Sequence, residues 1–207
     1  MAEYLTYLKI EENEEIRSCR MYVQFLSNGQ CKIRLDGHNF SEEAVESSYS
    51  RSLEALLREL PSGSTLHLNN KIVINKNGFC HVMEISEKVK LSFVPYENDD
   101  LIEFILGCTF ENQELIAACF DDFGIAFSNL VKQIGLPVET CAYCHNGDFK
   151  SDGGEDLRHG WYCFRDVENA NMQLPWVERL EMFSKATPNL SAFFWCPGFQ
   201  YQNKELA

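Results

Sequence analysis

Residues 141–163 read CAYCHNGDFKSDGGEDLRHGWYC, a stretch with three cysteines, two histidines and several glycines but few aliphatic side chains. Ordering a chain costs roughly 1–2 kcal/mol of backbone entropy per residue, and more at glycine. Between Cys144 and Trp161 there is little apolar surface to offset that cost, so hydrophobic burial is a poor candidate for holding the segment. A metal ion is a better one. Cys141 and Cys144 have the two-residue gap that lets both thiolates reach one ion from a tight turn, and structural Zn²⁺ takes four such ligands in a tetrahedron.

Cys163, after 18 intervening residues, is the expected third ligand, and Cys196, after a further 32, the fourth. The pattern C-x2-C-x18-C-x32-C differs from zinc ribbons that close with a second C-x2-C, so His145 and His159 stand as substitutes for the fourth position. Two other readings of the same residues carry less. Cys141 to His145 spells the c-type haem attachment pattern, which needs export from the cytosol. A redox C-x-x-C would start a helix in a βαβ setting, whereas this one precedes an irregular loop.

Taken with Asp148-Phe149, Cys163-Phe164-Arg165 and Cys196-Pro197-Gly198-Phe199, the last third of the chain resembles an uncharacterised group of bacterial proteins. Members of that group share a C-x-x-C, an Asp-aromatic pair, C-F-R and a terminal Cys-Pro-x-Phe. The resemblance implies a four-cysteine site and brings no activity with it. The glycine and aspartate insertion at Gly153 to Asp156 departs from the serine-, tyrosine- and proline-rich loop of the group.

The remaining composition narrows the surroundings of such a site. With 45% apolar and 24% charged residues over 207 positions, the chain is expected to fold as one large domain or two small ones. A formal charge of −13 repels phosphate backbones and anionic lipid, which argues against a nucleic-acid partner. It leaves solubility, or a basic protein partner, as the reason for the acidity. No apolar run reaches the roughly 18 residues of a membrane span, and the N-terminus shows no signal-peptide pattern, so a cytoplasmic protein is expected. Nine cysteines in that compartment are expected to be free thiols or ligands rather than disulfides. The oligomeric state leaves no mark in the sequence.

The expected fold class is α+β: an antiparallel, β-rich body with two helices over residues 1–136, then a cysteine-rich zinc-binding region over 137–207 packed on it. Strands are read at Tyr4 to Ile10, Ser18 to Leu26 and Cys31 to Leu35, with Ser27-Asn28-Gly29 as a turn. Thr65 to Leu68, a turn at Asn69-Asn70, and Lys71 to Ile74 follow, then a hairpin at Asn77-Gly78. Alternation at Lys88 to Phe93 places Val89, Leu91 and Phe93 on one face. Leu53, Leu56, Leu57 and Leu60 form one helical stripe stopped by Pro61. A longer helix is read from Asn112 to Ile134, ended by Gly135 and Pro137, with its phenylalanines as core. A last helix is expected from Pro175 to Lys185, broken at Thr187-Pro188-Asn189, before a final strand from Ala192 to Cys196. Cys19, Cys31, Cys80, Cys108 and Cys119 are taken as small buried hydrophobes.

A zinc filled by four cysteines has no open position for water, which favours a non-enzymatic module that binds another protein, such as an adaptor or an antitoxin-like or defence-associated partner. The alternative is a zinc hydrolase in which three of the cysteines hold the metal and His145, Asp148, Glu155 or Asp156 is the base. No H-E-x-x-H, deaminase, P-loop, G-x-S-x-G or G-x-G-x-x-G pattern supports an enzyme, and no catalytic residue is assigned. Asp121-Asp122 reads as a solvated helix face, Arg165-Asp166 as structural hydrogen bonding beside the site, and His38, His67 and His81 as structural.

Overall fold

The computed structural model describes residues 2–10, 15–25, 31–36, 49–149 and 161–201. It is an α+β fold dominated by antiparallel strands. The chain divides into two compact units. One takes the chain up to Asn70 and from Glu84 to Ile134, and the other takes Lys71–Met83 and the described chain from Gly135 on. Among the described residues, no helix is long and apolar enough to cross a membrane.

The elements run β1 (Ala2–Ile10), β2 (Glu15–Phe25), β3 (Cys31–Leu35), α1 (Tyr49–Glu59), β4 (Thr65–Lys76), β5 (Phe79–Val94), β6 (Asp99–Phe110), β7 (Gln113–Phe120) and α2 (Phe123–Ile134). Seven strands make one sheet in the order β3-β2-β1-β4-β5-β6-β7. Alternation sets the buried face: Leu66 and Leu68 on β4, Ile85 and Val89 on β5, and Ile102, Phe104 and Leu106 on β6 are all buried. Helix α1 packs along β3, and α2 along β6 and β7. The four leucines of the expected α1 stripe are buried, and Phe104 meets Phe123 of α2 edge-on at 6.0 Å between ring centres.

Several expectations for this part of the chain need correction. Asn69-Asn70 does not turn the chain, and β4 runs unbroken from Thr65 to Lys76. Asn70 sits at a core-facing position of the alternation, where its Nδ2 donates to Glu87 Oε2 at 2.9 Å, and Glu87 is fully buried. A hydrogen-bonded polar pair inside the sheet thus takes the place of a turn. The hairpin at Asn77-Gly78 forms as expected, with φ of +55° and +83°. Phe93 is 61% exposed while its neighbour Val94 is buried, so the alternation of β5 slips after Leu91.

The longest expected helix is two elements. Residues 113–120 form strand β7, paired with β6 through Leu106↔Ala117 and Cys108↔Leu115, and only Phe123–Ile134 is helical. Glu111 and Asn112, both at positive φ, make the tight turn between the strands. Asp121 and Asp122 form the joint into α2 rather than a solvated helix face. Asp121 Oδ1 accepts from the Ile102 amide at 3.1 Å, and Asp122 Oδ1 caps α2 by accepting from the Ile125 amide at 2.9 Å. Cys19 is buried and Cys108 and Cys119 are half-buried, whereas Cys80 is exposed. The side chain of Cys31, His38 and the turn at Ser27-Asn28-Gly29 lie outside the described residues.

The second unit contains the tip of the β4–β5 hairpin, which nothing in the sequence attaches to the cysteine region. Residues 137–139 run beside β4: the Asn75 amide donates to Pro137 O at 2.8 Å and the Glu139 amide to Val73 O at 2.7 Å. Farther on, β8 (Gly147–Phe149), β9 (Trp161–Cys163) and β10 (Thr187–Leu190) form a small sheet in the order β10-β9-β8. The expected final strand from Ala192 to Cys196 is absent, and the strand lies at Thr187–Leu190, where the sequence reads as a breaker. Proline is tolerated there because β10 is an edge strand, and its register shifts between Thr187 and Leu190. The expected third helix is one α turn, α3 (Trp176–Arg179), continued by 3-10 turns over Leu180–Lys185. This unit also has apolar packing of its own: Phe164, Val167, Phe183 and Ala186 cluster together, with Tyr162 edge-on to Phe183 at 4.9 Å.

Candidate metal centre

The two cysteines of the C-x2-C pair sit on one tight knuckle. Cys141–Tyr143 is a single 3-10 turn, the Cys144 amide donates to Cys141 O at 3.2 Å, and the Gly147 amide donates to Cys144 O at 3.0 Å. Gly147 is required for room: a Cβ there would overlap the Cys141 carbonyl oxygen. Its strand carries the third cysteine directly opposite, since Gly147 pairs with Cys163 across β8 and β9. The Phe164 amide donates to Asn146 O at 2.8 Å and extends that pairing by one step.

Backbone hydrogen bonds on both sides of Cys196 bring the fourth cysteine to the same place. Upstream, the Cys141 amide donates to Phe194 O at 2.8 Å and the Ala142 amide to Ala192 O at 3.2 Å. Downstream, Cys144 bridges to Tyr201 and the His145 amide donates to Gln200 O at 2.6 Å. Between them the chain reverses over Pro197-Gly198, closed by the Phe199 amide on Cys196 O at 3.1 Å. Three separate stretches of chain therefore deliver Cys141, Cys144, Cys163 and Cys196 to one neighbourhood.

Electrostatics register that proximity. Burial pushes the Cys141 thiol up to about 12, and the sulfurs of Cys144, Cys163 and Cys196 each push it the same way. A thiol in that state is protonated at neutral pH and a weak nucleophile. Thiols brought into one neighbourhood can be ionised jointly by a divalent cation. Cys141 and Cys144 are buried, and Cys163 and Cys196 are partly exposed. As they stand, no three His, Cys, Asp or Glu side chains among the described residues form a metal-holding cluster. The donor set fits zinc by its chemistry: four soft sulfurs match Zn–S bonds of about 2.3 Å in a tetrahedron.

Of the other sequence candidates, Asp148 is engaged with Arg179 in an ion pair in which both side chains are mostly buried. His159, Glu155 and Asp156 lie outside the described residues, as does the Gly153 to Asp156 insertion. Arg165 does stand beside the site, with Nη1 3.7 Å from Cys196 Sγ and Nε 3.4 Å from Asp166 Oδ1.

Sequence reasoning missed Glu139. It is buried, and its carboxylate accepts from Asn75 Nδ2 at 3.0 Å, Cys80 Sγ at 3.3 Å, Trp195 Nε1 at 3.2 Å and Tyr201 Oη at 3.1 Å. Burial alone would raise its pKa, but these four hydrogen bonds together hold it below the ordinary value. Two of the four donors flank Cys196 in sequence, and the other two lie at the hairpin tip. No short-range pattern could have signalled an acid whose partners stand at positions 75, 80, 195 and 201. No protein-family model matches the chain, and no curated protein or solved structure matches it either.

Proposed function

We propose that Cys141, Cys144, Cys163 and Cys196 hold one structural Zn²⁺ and that the protein is a non-enzymatic, cytoplasmic module that works by binding another protein. The observation that carries the metal is the convergence of four cysteines from three stretches of chain, two of them buried, onto one neighbourhood. With sulfur in all four positions, the ion offers none to water or substrate, and its contribution is to the folding of the second unit.

The partner side of the reading rests on charge. Acidic residues exceed basic ones strongly in the first unit and are nearly balanced in the second, so the formal charge of −13 belongs to the β-rich sheet unit. Such a surface favours a partner with a basic face and fast, salt-sensitive association.

Elemental analysis of the purified protein tests the metal: one zinc per chain is expected, with stoichiometric loss in Cys141→Ser. Unchanged zinc in that variant removes Cys141 from the site. Cobalt substitution then reads the ligand set, since four thiolates give an intense sulfur-to-metal charge-transfer spectrum and a site with exchangeable water does not. Retention of a lysate partner at low salt and its release as salt rises would support the interaction reading. A chain that retains nothing at low salt counts against it.

A further inference from the structure

We propose that Arg165 is the positioning residue of this cysteine centre: its guanidinium donates to the sulfur of Cys196 and shields the exposed side of the site from attack. The inference rests on the four-cysteine reading given above.

Three observations place the side chain there. Arg165 Nη1 lies 3.7 Å from Cys196 Sγ, within the range of an N–H···S hydrogen bond. The side chain lies across Gly198, where a Cβ would come within 2.5 Å of Arg165 Nη1 and 2.8 Å of Cδ, so the glycine of Cys-Pro-Gly-Phe leaves room for the arginine in this position. Neighbouring Phe164 is 1% exposed and meets Phe183 edge-on at 5.0 Å, which fixes the backbone from which Arg165 extends. Asp166 Oδ1 pairs with Arg165 Nε at 3.4 Å.

The placement has a chemical consequence. Four thiolates around a divalent ion carry two net negative charges, and such sulfurs remain nucleophilic toward electrophiles and oxidants. Cys141 and Cys144 are buried, so attack must come at Cys163 or Cys196, the two partly exposed sulfurs. An N–H donated to sulfur draws electron density from it and offsets part of the charge. Arginine suits this role because its planar fork can bond sulfur and carboxylate at once and its charge is permanent.

The test uses the zinc-loaded full chain. Iodoacetamide alkylates sulfur with loss of iodide, and the zinc released as thiolates are consumed is followed with a chromogenic chelator. Arg165→Ala is expected to release zinc about tenfold faster than wild type, the size of a lost hydrogen bond to a charged group. Arg165→Lys, which keeps the charge but loses the fork, should fall between the two. Cadmium-113 NMR of the cadmium-loaded protein supplies a readout that a merely structural role would not move, because the resonance reports electron density at the sulfurs. A shifted resonance with an unchanged unfolding midpoint supports the assignment. Should Arg165→Ala fail to fold, Arg165→Gln keeps a neutral N–H donor, and a release rate above wild type supports the proposal. Wild-type rates and resonances in the variants overturn the role of Arg165 alone. A wild-type chain that holds no zinc overturns the four-cysteine reading and this inference with it.

Discussion

Trp195 donates its indole N–H to Glu139 Oε2 at 3.2 Å, linking the residue before the fourth cysteine to the residue two before the first. Because Asn75, Cys80 and Tyr201 bond the same carboxylate, Glu139 holds the hairpin tip and the C-terminal segment of its unit together. Trp195→Phe keeps an aromatic ring and loses one donor, at an expected cost of about 1 kcal/mol. Glu139→Ala leaves several donors without their acceptor and should cost about 2–4 kcal/mol. Urea unfolding measures both, and the double variant should lose less than the sum because the two changes remove a shared bond. Strict additivity would mean that the network does not act as a unit.

If zinc holds the second unit, its removal should loosen that unit and leave the other intact. After chelation, amides of residues 141–149 and 161–201 are expected to exchange faster with deuterium, while those of β6 and α2 keep their protection. The apolar cluster around Phe164 and Phe183 should preserve some residual order near β9. Equal loss of protection in both units would contradict this division of labour.

Gly147 offers a test of the knuckle that leaves every sulfur in place. The space beside its Cα is filled by the Cys141 carbonyl, which is backbone and has little freedom to retreat. Gly147→Ala is therefore expected to cost about 1–3 kcal/mol in unfolding and to weaken zinc retention in a chelator competition. A stable variant with wild-type zinc affinity would show that the knuckle opens more readily than its hydrogen bonds suggest.

The turn between β6 and β7 shows what the sequence could not resolve. Leu115, Ile116, Cys119, Phe120 and Phe123 satisfy a helical period, yet Leu115, Ala117 and Cys119 also alternate, and that alternation is the one the sheet uses. The difference turns on Ile116 and Phe120, which a helix would bury and the strand leaves 60% and 38% exposed. Glu111 and Asn112 give little warning of a tight turn, because Glu111 holds φ of +49° although glutamate is disfavoured there. Relieving that strain with Glu111→Gly should stabilise the protein by about 0.5–1 kcal/mol in thermal or urea unfolding. A destabilised variant would mean that the glutamate side chain contributes more than its backbone strain costs.

The cysteine spacing was legible for a different reason. Two thiols on a tight turn require a fixed local gap, and the C-x2-C motif states it directly, whereas Cys163 and Cys196 reach the knuckle through strand pairing and loop hydrogen bonds. The helix stripe around Leu53 is equally local and is the one the structure buries, whereas the alternation through Val89 holds only as far as Leu91. What escaped the sequence is long-range: the buried Asn70–Glu87 pair, the hairpin tip's place in the second unit, and Glu139.

His67, on β4, carries the pH dependence expected of the sheet. Burial first, then the charges of Lys88 on β5 and Lys9 on β1, hold its pKa below the ordinary value of 6.5. The unfolded chain therefore takes up a proton before the folded one does. The stability linked to His67 is fully present above pH 6.5 and is lost as pH falls from there toward the depressed folded value. Carboxylates contribute their own dependence at lower pH, so the comparison that isolates the histidine is between wild type and His67→Phe. Urea unfolding at intervals between about pH 7 and pH 5 should show a shallower decline in the variant, because it removes the one group on β4 that titrates in this window. Parallel curves would show that protonated His67 is accommodated in the sheet without cost, against the repulsion from Lys9 and Lys88.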